Sequence, residues 1–245
     1  MRARDFRQAA RDALKGNWIV AIIGGIIASM FGGLSNSGVG FTINFNFEAP
    51  EIDSGESTAT LLASVKNTVA NSSGMYDGVI ALLMIFFGVV LVYSIIMFII
   101  GSAVGIGYSE FNLDLVDGSK PRISSIFSRF GQIGTGIRTN LLAFIRIFFG
   151  MLLIIPGIVM SYSYAMRNYV MAEHPELNAR EVLRESKRIM KGNRFRLFCL
   201  EMSFIGWAFL SILTLGVGFL WFVPYQQAAI ATFYREVSAE ADYRI

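Results

Sequence analysis

Charge is scarce in this sequence: Asp, Glu, Lys and Arg together make up 16% of its 245 residues, against roughly 25% in soluble domains. The deficit argues against a soluble globular chain. With 54% apolar residues and a mean hydropathy of +0.53, the composition is that of an integral membrane protein. Cysteine and histidine occur once each, as Cys199 and His174. A lone cysteine permits neither a disulfide within the chain nor a thiolate metal cage, so no metal and no cofactor is expected. Cys199, in the apolar run RLFCLEMSF, reads as a buried small hydrophobe. His174, just before Pro175, reads as a loop residue. A Walker-type phosphate loop and a metal-binding histidine pair are both missing, and no histidine could activate a nucleophile inside a membrane, so enzymatic activity is not expected. Nor is a nucleic-acid partner.

Long apolar runs are what the sequence does have, and about 20 residues suffice for one crossing. Residues 1–16 carry too much charge for a removable signal peptide. Phe6, Ala9, Ala10, Ala13 and Leu14 recur with helical period, which predicts an amphipathic helix lying on the bilayer. The first span is 17–34, followed by an acidic extracellular loop, 35–77, and a second span, 78–105. The cytoplasmic loop 106–136 includes an interfacial helix with Ile123, Ile126, Phe127 and Phe130 on one face.

Apolar sequence then runs from about 137 to 172, which as one helix would extend about 54 Å, far beyond a hydrocarbon core of ~30 Å. A helical hairpin, 137–155 and 158–173, resolves the excess, with Pro156 and Gly157 as its outer turn. A cytoplasmic basic helix, 178–191, precedes spans 195–214 and 217–236 and a cytoplasmic tail, 237–245. Charge supports this order. Segments 1–16, 106–138 and 173–196 hold five, four and seven Lys or Arg, whereas 35–77 holds only Lys66. The expected fold is an all-α polytopic membrane bundle of about six transmembrane helices with amphipathic interfacial helices. Both termini would face the cytoplasm of a bacterial inner membrane.

Asn178 and Glu181 have capping-box spacing, and Arg180, Arg184, Lys187, Arg188 and Lys191 are placed to contact the inner leaflet. Arg146, Arg167 and Glu201 fall inside predicted spans, roughly 9 to 12 Å below the cytoplasmic face when counted at 1.5 Å per residue. Intramembrane charges usually face the protein interior or a wet cavity. Glu201 is therefore expected to pair with an arginine, and Gln226, Tyr164 and Tyr169 to complete a pocket for an anionic head group, as of an anionic lipid; a purely structural salt-bridge network is the competing reading. In the outer loop, Phe41, Ile43, Phe45 and Phe47 alternate as in a half-buried strand. That strand would belong to a small outer cap or pair with an extracellular peptide or membrane partner protein.

The stretches LVDGSKPRISSIFSRF, IIPGIVMSYSYAMRNYVMAEHPELNAREVLRESKRIMKGNRFRLFCLEMSFIGW and LTLGVGFLWFVPYQQAAIATFYREV resemble the bacterial integral membrane family known as domain of unknown function 975. The resemblance covers about residues 108–237 and the N-terminal ALKGNW. It implies a cytoplasmic-membrane protein without an established activity. The layout is also similar to the membrane domain attached to some glycerophosphodiester phosphodiesterases, which carries over a membrane scaffold and not the reaction. The expected function is that of a non-enzymatic binding, protective (immunity-like) or accessory factor of the bacterial envelope. The alternative is a carrier or binding protein for anionic lipids or small amphiphiles, acting through the inner-half pocket.

Overall fold

The computed structural model describes residues 3–34, 63, 75–153 and 155–243, and these are helices and turns without a strand among them. The predicted outer strand at 41–47 lies outside the described residues. The helices are α1 (Ala3–Leu14), α2 (Trp18–Met30), α3 (Met75–Val116), a 3-10 helix (Ile123–Gln132), α4 (Ile133–Met151), α5 (Ile155–Ser163), α6 (Arg167–Glu173), α7 (Ala179–Ile189), α8 (Arg194–Met202), α9 (Ile205–Leu213) and α10 (Phe219–Asp242). Residues 1–43 and 98–245 form one compact unit and 44–97 another.

Two segments are each long and apolar enough to cross a bilayer, Val79–Val116 and Arg194–Leu213; a third is added if α1 and α2, bent by 105°, count together. The α3 helix has 42 residues, about 63 Å at 1.5 Å each. The stretch 106–116, expected as loop, therefore continues the helix.

The first unit is organised around α10, whose residues 224–234 are all buried. The apolar face of α1, expected to lie on the bilayer, is covered by protein. Phe6, Ala10 and Leu14 are at most 1% exposed, and the Phe6 ring lies 5.2 Å from that of Phe233 on α10. The helical period had identified the right face, but protein covers it. Cys199 is corrected in the opposite direction. It is exposed, because Leu197 and Leu200 take the inward side of α8.

Residues 3–17 and 179–193 repeat each other without a gap. Ala3-Arg4-Asp5 corresponds to Ala179-Arg180-Glu181, and Lys15-Gly16-Asn17 to Lys191-Gly192-Asn193. The buried Phe6, Ala10 and Leu14 fall on the buried Val182, Ser186 and Met190. Each copy ends in a glycine with positive φ, 84° at Gly16 and 87° at Gly192, where other L residues are strained. Each glycine is followed by the asparagine that starts an apolar helix, Asn17 before α2 and Asn193 before α8. Both following helices return along α10. Gly25 of α2 lies against Val223 and Pro224, and Phe204, which caps α9 just after α8, against Phe222 and Tyr225.

The chain reverses after α4 at Leu152 and Leu153, and Pro156 and Gly157 already belong to the first turn of α5. Pro156 is thus a helix starter, where its missing N–H costs nothing, rather than the turn itself. Gly157 lets the two arms meet, since a Cβ there would stand 2.7 Å from the Met151 backbone. The 3-10 winding of 123–132 aligns residues three apart. It buries Ile126 and leaves Phe127 and Phe130 exposed and stacked at 6.2 Å.

Candidate functional site

The α7 helix begins with the predicted capping box. The Asn178 side-chain oxygen accepts from the Arg180 and Glu181 backbone N–H groups, and Glu181 accepts from the Asn178 N–H at 2.9 Å. Val182, Leu183, Ser186 and Ile189 form the buried face. Leu183 packs with Ala143 of α4 and with Tyr164, and the Ser186 hydroxyl donates to the Ser163 carbonyl at 3.0 Å. Those contacts fix the rotation of α7, so that Arg180, Arg184 and Lys187, at i, i+4 and i+7, stand on an exposed face.

A groove of about 310 Å³ lies beside this face, lined by Arg146, Tyr164, Arg180, Leu183, Arg184 and Lys187. Arg146 reaches it from α4, one turn beyond Ala143. Its guanidinium carbon sits 5.8 Å from the centre of the Tyr164 ring, and its Nη1 makes a long contact of 3.5 Å to the Tyr164 hydroxyl. Four cations therefore converge on a lining that contains no carboxylate. Both acids of α7 are engaged elsewhere: Glu181 closes the capping box, and Glu185 accepts from Arg188 at 2.6 to 3.0 Å.

The remaining arginines show the contrast. Arg188 binds Glu185 and Asp242 and donates to the Ala241 carbonyl. Its guanidinium pKa is raised, by hydrogen bonding to Glu185 first and to Asp242 second. Arg129 forks onto Glu110 at 2.7 and 2.8 Å, which raises its pKa likewise, and reaches the Ala172 carbonyl. Arg196 pairs with Glu236 and Glu240, and Arg235 with Asp117 and Glu173. These four tie helices together. Arg146, Arg180, Arg184 and Lys187 have no carboxylate among the described residues.

The pocket expected from the sequence is therefore redistributed. Arg146 and Tyr164 stay together, joined by three of the residues assigned to the inner leaflet. Arg167 supports the groove from behind, donating through Nε to Asn140 at 2.7 Å and through Nη1 to the Tyr164 carbonyl at 3.1 Å. Among the described residues Glu201 does not pair with an arginine: its Oε2 accepts from the Tyr162 hydroxyl at 2.8 Å. Tyr169 is buried, with its ring stacked 5.3 Å from that of Tyr234, and Gln226 is buried on α10; neither lines the groove. Lys191 lies beyond the lining as well. Spacing alone does not separate the two kinds of arginine, because Glu181 precedes Arg184 by three residues as Glu185 precedes Arg188; the capping box, which engages Glu181 at Asn178, is the signal that does.

No curated protein and no solved structure matches the chain. A family model matches residues 123–241, which include every residue of the groove. Through that region the chain is similar to the family described as a protein of unknown function, DUF975.

Proposed function

We propose that this chain is a multi-pass protein of the bacterial cytoplasmic membrane that acts without catalysis, holding the anionic head group of a lipid or small amphiphile in the groove between α4 and α7. It would cross the membrane about six times with both termini inside, and serve the envelope as a binding or accessory factor. The observation that carries this reading is the charge imbalance of the groove, four cations and no acid. Like charges brought together repel, and an anion bound among them reverses the sign of that interaction. Guanidinium groups also match phosphate and carboxylate geometry with paired hydrogen bonds. Arg180 stands in the first turn of α7, where the helix dipole disfavours a cation and favours an anion. On the membrane side, Ile145 and Phe149 flank Arg146 and are exposed, which supplies an apolar wall for a chain attached to the head group.

Native mass spectrometry of protein purified from bacterial membranes tests the reading. Wild type is expected to retain anionic lipid. The Arg146→Gln/Arg184→Gln/Lys187→Gln variant should lose it while keeping the melting temperature of delipidated wild type, because none of the three residues holds a carboxylate. Equal retention by wild type and variant would refute the groove as the site.

A further inference from the structure

Resting on the head-group reading above, we infer that the groove selects a terminal phosphate, a phosphomonoester bearing close to two negative charges, over the singly charged phosphodiester of common anionic lipids. The charge count carries the choice. Arg146, Arg180, Arg184 and Lys187 line one space, while Glu181 and Glu185 are fixed on Asn178 and Arg188. A phosphodiester brings one charge and two unsubstituted oxygens to four cations. A phosphomonoester brings ≈ −1.5 to −2 at neutral pH and three acceptor oxygens.

Geometry agrees. The three α7 cations climb about 10 Å of helix on one face, and Arg146 approaches from α4 with its guanidinium carbon 5.8 Å from the centre of the Tyr164 ring. Three long side chains from one side and a positioned guanidinium from the other can enclose a tetrahedral group on several oxygens. A group esterified on both sides must leave two of its corners to carbon chains. Tyr164, 5% exposed and held through its carbonyl by Arg167, keeps its hydroxyl near Arg146 and offers one further donor.

The chemistry is shared by a lipid phosphomonoester and by free phosphate, and the exposed Ile145 and Phe149 beside Arg146 favour the lipid. Binding to detergent-solubilised protein is measured with short-chain phosphatidic acid, with phosphatidylglycerol of the same chains, and with inorganic phosphate. Phosphatidic acid is expected to bind at least tenfold more tightly than phosphatidylglycerol. Its affinity should rise as pH increases through the second phosphate ionisation near 6, while that for phosphatidylglycerol stays level. Arg184→Gln/Lys187→Gln should reduce the preference to less than threefold, with unliganded melting unchanged.

Equal binding of the two lipids would overturn the phosphomonoester inference and leave the head-group reading standing. Binding of neither lipid nor phosphate would overturn both. Inorganic phosphate matching phosphatidic acid, with phosphatidylglycerol weak, would support the dianion chemistry and assign its source to soluble phosphate.

Discussion

Replacing Glu201 by Gln separates two pictures of the protein's interior. Were Glu201 the counter-ion of an arginine, removing its charge would leave a buried cation without a partner and cost about 3 to 5 kcal/mol. In the structure its partner is the Tyr162 hydroxyl, at 2.8 Å. A glutamine side-chain oxygen can accept that same hydrogen bond. Hydrogen bonds to charged groups contribute ~1.5 to 3 kcal/mol and neutral ones ~0.5 to 1.5, so the exchange loses about 1 kcal/mol. Keeping a carboxylate out of water opposes folding, and its removal offsets part of even that loss. Tyr162→Phe should be the more harmful change. It takes away the only donor Glu201 has among the described residues and should cost about 1.5 to 3 kcal/mol. The double variant should be less harmful than the sum, since it leaves no carboxylate to be satisfied. Denaturant titration in mild detergent, followed by tryptophan fluorescence, reads all three. A loss of 3 kcal/mol or more for Glu201→Gln, recovered by Arg146→Gln or Arg167→Gln, would refute the assignment.

Two further expectations concern the backbone and the topology. Gly16→Ala should destabilise by about 1 kcal/mol through its positive φ alone, since a Cβ there meets nothing within 4 Å. Gly206→Ala, inside α9 and equally open, should stabilise by about 0.5 to 1 kcal/mol. Melting curves of the pair check the sign of each. Single cysteines at Ser54, Gly118 and Asn193 in a Cys199→Ser background should react with an impermeant reagent from outside the cell only at Ser54. External labelling at Asn193 would reject the cytoplasmic placement of α7.

Periodicity made the helices legible, since Phe6, Ala9, Ala10, Ala13 and Leu14 or Val182, Leu183, Ser186 and Ile189 mix odd and even spacings, which a strand would send to opposite faces. The capping box was legible too, because its two bonds are local. Counting residues along a span assigned Glu201 an expected depth but no azimuth around the helix, and charges at one expected depth on different helices need not face each other. The covering of an apolar face was equally hidden. Phe6 meets Phe233 and Cys199 faces outward, yet both occupy apolar positions of a helical pattern. The groove depends on the rotation of α7 against α4, which Leu183, Ala143 and Tyr164 set together. Arg146 and Lys187 could not be joined by a pattern read along one helix.

The two glycine elbows, at Gly16 and Gly192, impose a rule of parity. Each launches a helix that runs back along α10; early in those helices, Leu197 belongs to the core around α10 and Trp18 packs against it. Arg196, just after the second elbow, bonds Glu240 near the C-terminal end of α10. For a chain embedded in a bilayer, two points at one face are joined by an even number of crossings, however the intervening sequence is divided. On the proposed topology, which sets both elbows at the cytoplasmic face, an odd count between them is forbidden, and α4 and α5–α6 would be gained or lost as a pair. The same rule governs the segment from Asn193 to Asp242, because the end of α10 lies at the second elbow's own level. An insertion or deletion of one span in either interval would have to turn an elbow over, taking its arginines and lysines to the opposite face.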